Sequence, residues 1–351
     1  MKEEIVVAGG GIAGLESALR LERKGFKVKL IDTEDSLFFY PSGHRIIDGS
    51  PVEEVTINYE RKLQDRDIEH VKASVTDLDK EEKSVSTTSG KLSYDYLVLA
   101  LGSEANFFGI ETDETELMRY KEDLEEINER LEKKENLEAF IVGGGATGLE
   151  AAASLSEREN VDVTILQAVE RLVPQLNEKT SEKALKILEN KGVNIKLNEA
   201  VEEIDDGEIK TSNSTYDADL IIWAAGIKKR ELLNDLDLSQ NDKGLLVDEY
   251  QRVEDEEDIF AVGDNCFYEG KKSRALYALF ESKAAAKNIS RNEKGKDLTE
   301  RKIHYDPILL YMGKHNSILE FKNFSFSGLI PSMIEKIGVE KRYMLLRKHV
   351  I

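Results

Sequence analysis

Two glycine turns, 134 residues apart, constrain this chain more than any other feature. The first is Gly9-Gly10-Gly11-Ile12-Ala13-Gly14, preceded by the apolar run Ile5-Val6-Val7-Ala8. The second is Gly143-Gly144-Gly145-Ala146-Thr147-Gly148, preceded by Ala139-Phe140-Ile141-Val142. Both match G-x-G-x-x-G, and each stands between a strand-like and a helix-like stretch. In such a turn the first glycine permits the tight bend and the second lets a pyrophosphate approach the backbone. The third lets helix and strand pack closely. The helix that follows offers unpaired N–H groups and positive dipole to the phosphates. One match is a weak signal; two in the same strand–turn–helix context imply a chain that holds two dinucleotides.

The elements around the turns repeat. After the first turn, Leu15 to Lys24 reads as a helix stopped by Gly25. Val28 to Ile31 reads as the second strand, ending at Asp32. A carboxylate there suits the hydroxyl pair of an adenosine ribose. Tyr94 to Ala100 reads as a further strand, running to Gly102. Residues 114–135, rich in Glu and Lys, read as a surface helix with a solvated face. After the second turn come a helix from Leu149 to Arg158 and a strand from Val161 to Leu166. A helix from Thr180 to Lys191 and short strands at Val193–Leu197 and Asp219–Gly226 follow. Ile259 to Asp264 reads as a strand and turn, and Ala275 to Ile289 as a last helix. The order predicts an α/β chain of two Rossmann-like domains, the second inserted in the first. Residues 1–105 and 236–300 would form the first and 106–235 the second. Residues 301–351 would form a C-terminal segment.

Composition excludes more than it identifies. A net charge of −20 argues against a nucleic-acid binder, and the acid, spread along the chain, reads as solubility. No apolar run reaches the roughly 18 residues of a spanning helix. A strand beginning almost at the first residue leaves no signal peptide, so the expected location is inside the cell. The five histidines show no metal-ligand spacing. The single cysteine, Cys266, rules out a redox dithiol within the chain and is expected to pack.

These stretches resemble the flavoproteins with two dinucleotide-binding domains, of glutathione-reductase-like fold. Within them they resemble the type II NADH dehydrogenases, the single-chain NADH:quinone oxidoreductases. The likeness rests on Tyr94 to Ser103, Asn106-Phe107-Phe108-Gly109-Ile110, Gly143 to Glu150, Ile222-Trp223-Ala224-Ala225-Gly226-Ile227, and Val247 to Tyr250 leading to Ile259 to Asp264. It covers most of residues 1–290. The resemblance implies FAD in the first domain. There Gly9, Gly11 and Gly14 would receive the pyrophosphate and Asp32 the ribose. Val75, Ala100 and Gly102 would line the site, and Gly263 and Asp264 would meet the ribityl chain. It implies NADH or NADPH in the second domain, at Gly143, Gly145, Gly148, Ala225 and Gly226, with Glu150 near the flavin and nicotinamide. The chemistry is hydride transfer, for which the protein supplies orientation, electrostatics and exclusion of water.

The chain departs from the family at two places. Where NADH-specific members carry a carboxylate, the second unit has Gln167, with Arg171 four residues on. That pair removes a repulsion and adds a cation, so NADPH is expected to be accepted. Where members carry glutamines facing the quinone, the last helix has Leu276, Phe280 and Glu281. The C-terminal segment supports a quinone in another way. Residues 326–347 mix Phe326, Leu329, Ile330, Met333, Ile334, Ile337, Met344 and Leu345 with charges. From Lys336 onward five Lys or Arg stand against one Glu. A basic amphipathic terminus reads as an interfacial membrane anchor on the cytoplasmic face; docking on the protein itself and a homodimer contact are the alternatives. The expected activity is a non-proton-pumping FAD-dependent NAD(P)H:quinone oxidoreductase. A soluble reductase of a ferredoxin or rubredoxin, or a slow flavin-binding redox sensor, remain open.

Overall fold

The computed structural model describes residues 3–302, 307–322 and 324–348, with residues 339–348 given by backbone alone. The chain forms two compact units. Met1–Leu37, Thr56–Glu104 and Lys228–His304 make the first; Phe38–Val55, Ala105–Ile227 and Tyr305–Ile351 make the second.

In the first unit five strands form a wholly parallel sheet, in the order Ile259–Ala261, Tyr96–Leu99, Glu4–Ala8, Lys27–Asp32, Ile68–Lys72. Ile5, Val6, Val7 and Ala8 are fully buried. A parallel strand covered on both faces reads as a continuous apolar run rather than an alternation, which is why the sequence exposes it. The helix Ile12–Glu22 starts directly beyond this central strand and packs on the helix Ala275–Asn292. The chain moves outward from Glu4–Ala8 through the second and third strands, then returns to Tyr96–Leu99 on the other side. The first glycine turn therefore lies at the reversal of strand order, where open α/β sheets bind ligands.

The second unit repeats this plan with four parallel strands, Asn194–Leu197, Val161–Gln167, Leu137–Val142 and Leu220–Trp223. The second glycine turn follows the central strand Leu137–Val142 and opens the helix Ala146–Leu155. Ile141, Leu149, Ile165, Leu188 and Ile222 join one buried apolar cluster. The polar helix is shorter than its charge pattern predicts. It spans Lys121–Lys133 and buries only Leu124, Ile127 and Leu131. Ahead of it the chain is a loop, because Glu114 turns its carboxylate onto the N–H groups of Asp206 and Gly207, at 2.9 and 2.7 Å.

Three antiparallel sheets of three strands each were not anticipated. In each unit one stands between the third and fourth parallel strands, at Val75–Asp79, Ser84–Thr87 and Gly90–Ser93, and at Val201–Asp205, Glu208–Thr211 and Thr215–Asp217. The third comprises Ile308–Tyr311, Ser317–Phe321 and Phe324–Gly328, and leads into the helix Leu329–Lys348. Three segments fall differently from the expected division: residues 228–235, expected in the second domain, belong to the first unit. Phe38–Val55 belongs with the second unit, because Ile46, Ile47 and Val55 are buried in its apolar cluster. The C-terminal region belongs there too, since Leu310, Met312 and Ile318 enter the same cluster.

Candidate functional site: two dinucleotide cradles

Backbone geometry at the first turn requires glycine. Gly9 has φ +102°, a conformation that suits residues without a Cβ. A Cβ on Gly14 would overlap the Gly9 carbonyl oxygen. Gly11 is different: a Cβ there would meet nothing within 4 Å among the described residues. The protein's own packing does not need a glycine at that position, so the open space in front of it is what the residue preserves. Gly11 is also the N-cap of the helix Ile12–Glu22, and no side chain caps that helix. Its leading N–H groups therefore face the same opening, as an anion site requires.

The side chains around this turn are fixed. Asp32 accepts from the Gly10 N–H at 2.5 Å and, through its other oxygen, from the Glu34 N–H at 2.9 Å. The buried Tyr59 hydroxyl donates to the Gly10 carbonyl at 2.7 Å. A cleft of about 290 Å³ opens here, and Gly9, Asp32 and Val75 line it together with Ser74, Leu101 and Arg230. Tyr59, Ser74 and Arg230 come to this site from distant parts of the chain and carry no local signal in the sequence. Ala100 packs its carbonyl against Gly9. The Gly102 N–H donates to the Asn265 side chain at 3.4 Å, and Ser103 donates to Asp264 at 3.4 Å. Gly9, Asp32, Ala100, Gly102, Gly263 and Asp264 thus all stand at the carboxyl ends of strands in one parallel sheet.

Beneath Gly263 lies a buried ion pair. Glu281 accepts from the Gly263 N–H at 2.7 Å, from the Tyr268 hydroxyl at 3.0 Å and from Lys271 at 3.0 Å. Lys271 also donates to the Gly263 carbonyl at 2.5 Å and to Cys266 Sγ at 2.9 Å. Both backbone groups of Gly263 are therefore gripped. This corrects one expectation. Glu281 is only 1% exposed and its acceptors are used within the unit, so it does not present itself to a quinone. Leu276 and Phe280 lie one turn apart on the same helix and are partly exposed. Burial first, and the Glu281 charge second, push the Cys266 thiol up to about 12, which makes it inert.

The second turn repeats the first with different chemistry. Gly143 has φ +110°, and a Cβ there would lie 2.6 Å from the Ala224 carbonyl oxygen and 2.7 Å from Ala225 Cα. Gly145 is the N-cap of the helix Ala146–Leu155, again without a side-chain cap. The nearest atom to a Cβ at Gly145 is the Ala224 carbonyl oxygen, at 4.0 Å. Gln167 takes the place of Asp32: its Oε1 accepts from the Gly144 N–H at 2.8 Å, and its Nε2 donates to the Arg171 carbonyl at 2.9 Å. The Arg171 guanidinium donates to the Pro174 carbonyl at 2.5 Å. A cleft of about 550 Å³ beside it has an apolar wall of Leu172, Leu176, Leu185 and Leu197, and a rim bearing Glu170, Glu178 and Glu182. Gly226, with φ +145°, follows the strand Leu220–Trp223.

Glu150 projects from the helix Ala146–Leu155 and accepts from the Tyr311 N–H at 3.5 Å. Burial first, and the Glu335 carboxylate second, push it up to about 8. Around Tyr311 stands a small polar group. His44 stacks on the Tyr311 ring at 4.1 Å, and the Tyr311 hydroxyl donates to Asp48 at 2.7 Å. Burial lowers His44 to about 4, so it is neutral. Among the described residues no cluster of His, Cys, Asp and Glu is arranged to hold a metal ion.

Comparison with known proteins agrees with this geometry. The sequence profile described as pyridine nucleotide-disulphide oxidoreductase matches residues 3–288. The chain belongs to that family. Relatives of this oxidoreductase include a type II NADH:quinone oxidoreductase of Staphylococcus saprophyticus, 23% identical over 96% of this chain and 94% of that one. They also include the mitochondrial external alternative NAD(P)H-ubiquinone oxidoreductase B3 of Arabidopsis thaliana, 27% identical over 82% of this chain and 58% of that one. In structure it is similar to NDH2 of Plasmodium falciparum in complex with NADH. The TM-score is 0.87 at 19% identity, over 99% of this chain and 98% of that one. The family name mentions a disulphide, yet this member has one cysteine, buried and held by Lys271.

Proposed function

We propose that this chain is an FAD-dependent NAD(P)H:quinone oxidoreductase that does not pump protons and works at a membrane surface. The observation that carries the reading is the pair of cradles. Each has an uncapped helix N-terminus and a glycine, Gly11 or Gly145, whose missing side chain leaves space the protein does not fill. The donor set fits the two groups. FAD would sit at Gly9, Gly11, Gly14, Asp32, Val75, Ala100, Gly102, Gly263 and Asp264. NADH or NADPH would sit at Gly143, Gly145, Gly148, Gln167, Ala225 and Gly226. When bound, the flavin supplies the two-electron redox chemistry that the side chains lack. The chain's own work is to hold phosphates on helix N-termini, to fix Asp264 through the Lys271–Glu281 grip on Gly263, and to keep a proton on Glu150 at neutral pH.

A quinone as acceptor is supported by the names of the relatives, by the partly exposed Leu276 and Phe280, and by the C-terminal region. There the amphipathic pattern is inverted. Leu329, Ile330, Met333, Ile334 and Ile337 share one face of the last helix and are exposed, Ile330 by 73%, whereas Ser332 and Glu335 are buried. Phe324 and Phe326 of the neighbouring strand add exposed rings. An apolar face turned outward marks an interface, and the basic residues from Lys336 onward suit anionic lipid. Met344, Leu345 and the basic residues beyond Lys336 lie outside the described side chains. No described helix is long and apolar enough to cross a membrane, so the association would be peripheral.

Both nicotinamide cofactors should serve. Gln167 removes the repulsion that a carboxylate would exert on a 2′-phosphate, while the glutamates on the neighbouring rim offset Arg171. The test is anaerobic oxidation of NADH and NADPH by the FAD-loaded protein, with and without a short-chain quinone. Fast quinone-dependent turnover is expected, with kcat/KM values within about tenfold of each other. Flavin reduction without quinone turnover would move the acceptor to a protein. A preference for NADH above about a hundredfold would refute the reading of Gln167.

A further inference from the structure

The cleft at the first glycine turn carries more acid than a phosphate site tolerates easily. Its lining includes Asp32, Glu104 and Glu231, and its one cation among the described residues is Arg230. Lys228, nearby in sequence, is committed elsewhere: it pairs with Glu104 at 3.2 Å and with Glu231 at 3.0 Å. Arg230 is held in another manner. Its Nε donates to the Leu101 carbonyl at 2.7 Å, just beyond the strand Tyr96–Leu99. Its two terminal nitrogens make no hydrogen bond or ion pair with the described residues, and the side chain is exposed. A guanidinium anchored through Nε has its plane fixed and offers both terminal amino groups together. That fork matches two oxygens of one phosphate group.

We propose that Arg230 clamps the pyrophosphate of the dinucleotide bound in the first unit, acting with the uncapped N-terminus of the helix Ile12–Glu22. The inference rests on the reading of this cleft as the FAD site. A pyrophosphate brings two negative charges to a cleft that already holds Asp32, and the helix N-terminus supplies only about half a positive charge. Lys228 neutralises part of the Glu104 and Glu231 charge, which leaves Arg230 as the group able to meet the phosphates directly. Arg230 is a binding residue here; it takes no part in hydride transfer.

The test measures FAD affinity of the apoprotein by quenching of flavin fluorescence, in the wild type and in Arg230→Ala, Arg230→Gln and Arg230→Lys. Gln can still donate to the Leu101 carbonyl but carries no charge. Ala and Gln variants should both bind FAD about tenfold to a hundredfold more weakly, as expected for a lost charge-assisted pair, with Lys between them and the wild type. Added salt should weaken the wild type more than the neutral variants. Thermal unfolding of the apoproteins should be nearly unchanged, because the side chain is exposed. As a second probe, ADP should lose affinity in the Arg230→Gln variant and adenosine should not; equal losses would mean that the guanidinium stacks on the base and would overturn the clamp. Wild-type affinity in Arg230→Gln would overturn it too, while leaving the FAD reading intact. A wild-type apoprotein that fails to bind FAD would sink that reading, and the clamp with it.

Discussion

The two glycine turns share a backbone and differ in charge. In the first, Asp32 accepts the N–H of Gly10; in the second, Gln167 accepts the N–H of Gly144, from the same place at the end of the second strand. The neutral amide does the local structural work as well as the carboxylate does. The hydrogen bond to the middle glycine therefore does not explain why Asp32 is charged. The second Asp32 oxygen accepts the Glu34 N–H, and in the cleft a ribose hydroxyl pair would gain from an acceptor-only group. On the proposed reading the same comparison accounts for Gln167: once the turn is held, the second unit is free to omit a charge that would repel a 2′-phosphate.

The largest expected effects break the turns at their open glycines. Gly11→Val and Gly145→Val place side chains where, among the described residues, a Cβ would meet nothing within 4 Å in the first case and only the Ala224 carbonyl oxygen, at 4.0 Å, in the second. Both variants should fold with melting temperatures close to the wild type. Gly11→Val should lose FAD, and Gly145→Val should keep FAD but lose NADH affinity, each by at least about a hundredfold, or about 3 kcal/mol. Gly14→Val is the contrasting control, since its Cβ would collide with the Gly9 carbonyl and the protein should fail to fold. If Gly11→Val retains full flavin content by absorbance, the empty space in front of that turn is not a phosphate cradle.

Exchanging the two side chains sharpens the comparison with smaller effects. Asp32→Asn should preserve the bond from Gly10, give up the one from the Glu34 N–H, and weaken FAD by about tenfold. Gln167→Glu gives up the bond to the Arg171 carbonyl, so NADH turnover should fall slightly, while kcat/KM for NADPH should fall by about tenfold to a hundredfold. Steady-state kinetics with both cofactors reads the second, and equal losses for NADH and NADPH would show that Gln167 acts on the turn and not on the ligand.

The parts of this fold legible in the sequence are those where one residue type solves one physical problem. Buried parallel strands must be apolar throughout, so Ile5–Ala8 and Ala139–Val142 stand out. Turns with positive φ and close helix–strand approach need glycine, so Gly9, Gly14, Gly143 and Gly148 stand out. The antiparallel sheets at residues 75–93 and 201–217 were hidden because their strands are short and rich in exposed polar residues, as at Glu202, Glu203 and Lys210. The second-unit membership of Phe38–Val55 was hidden because Ile46 and Ile47 look like any buried pair until their neighbours are known. Glu281 shows a subtler limit. Its place on a helix was readable, but which way it faces is decided by Lys271, Tyr268 and the Gly263 backbone, none of which lies at a helical spacing from it. Arg230 was missed for the same reason, since its significance depends on Leu101 and on the acids around one cleft.

The smallest and most specific effect concerns the acid two residues past the last glycine of each turn. In the first unit this is Glu16, bonded to Arg20 at 2.5 Å. In the second it is Glu150, which faces another carboxylate, Glu335, and a single long bond from the Tyr311 N–H. With Glu150 pushed up to about 8, the folded chain holds a proton at neutral pH that the unfolded chain, near the ordinary value of 4.5, has released. Stability should therefore fall as pH rises from about 4.5 to about 8 and level off above that, because the folded state binds more protons throughout that window. Glu150→Gln mimics the protonated form and should remove this component of the slope. The variant should match the wild type at about pH 4 and be the more stable of the two at about pH 9. Thermal unfolding at three pH values measures the difference. A constant gap across the range would mean that Glu150 carries no displaced proton, and that the contrast with the Arg20-bonded Glu16 has no electrostatic consequence.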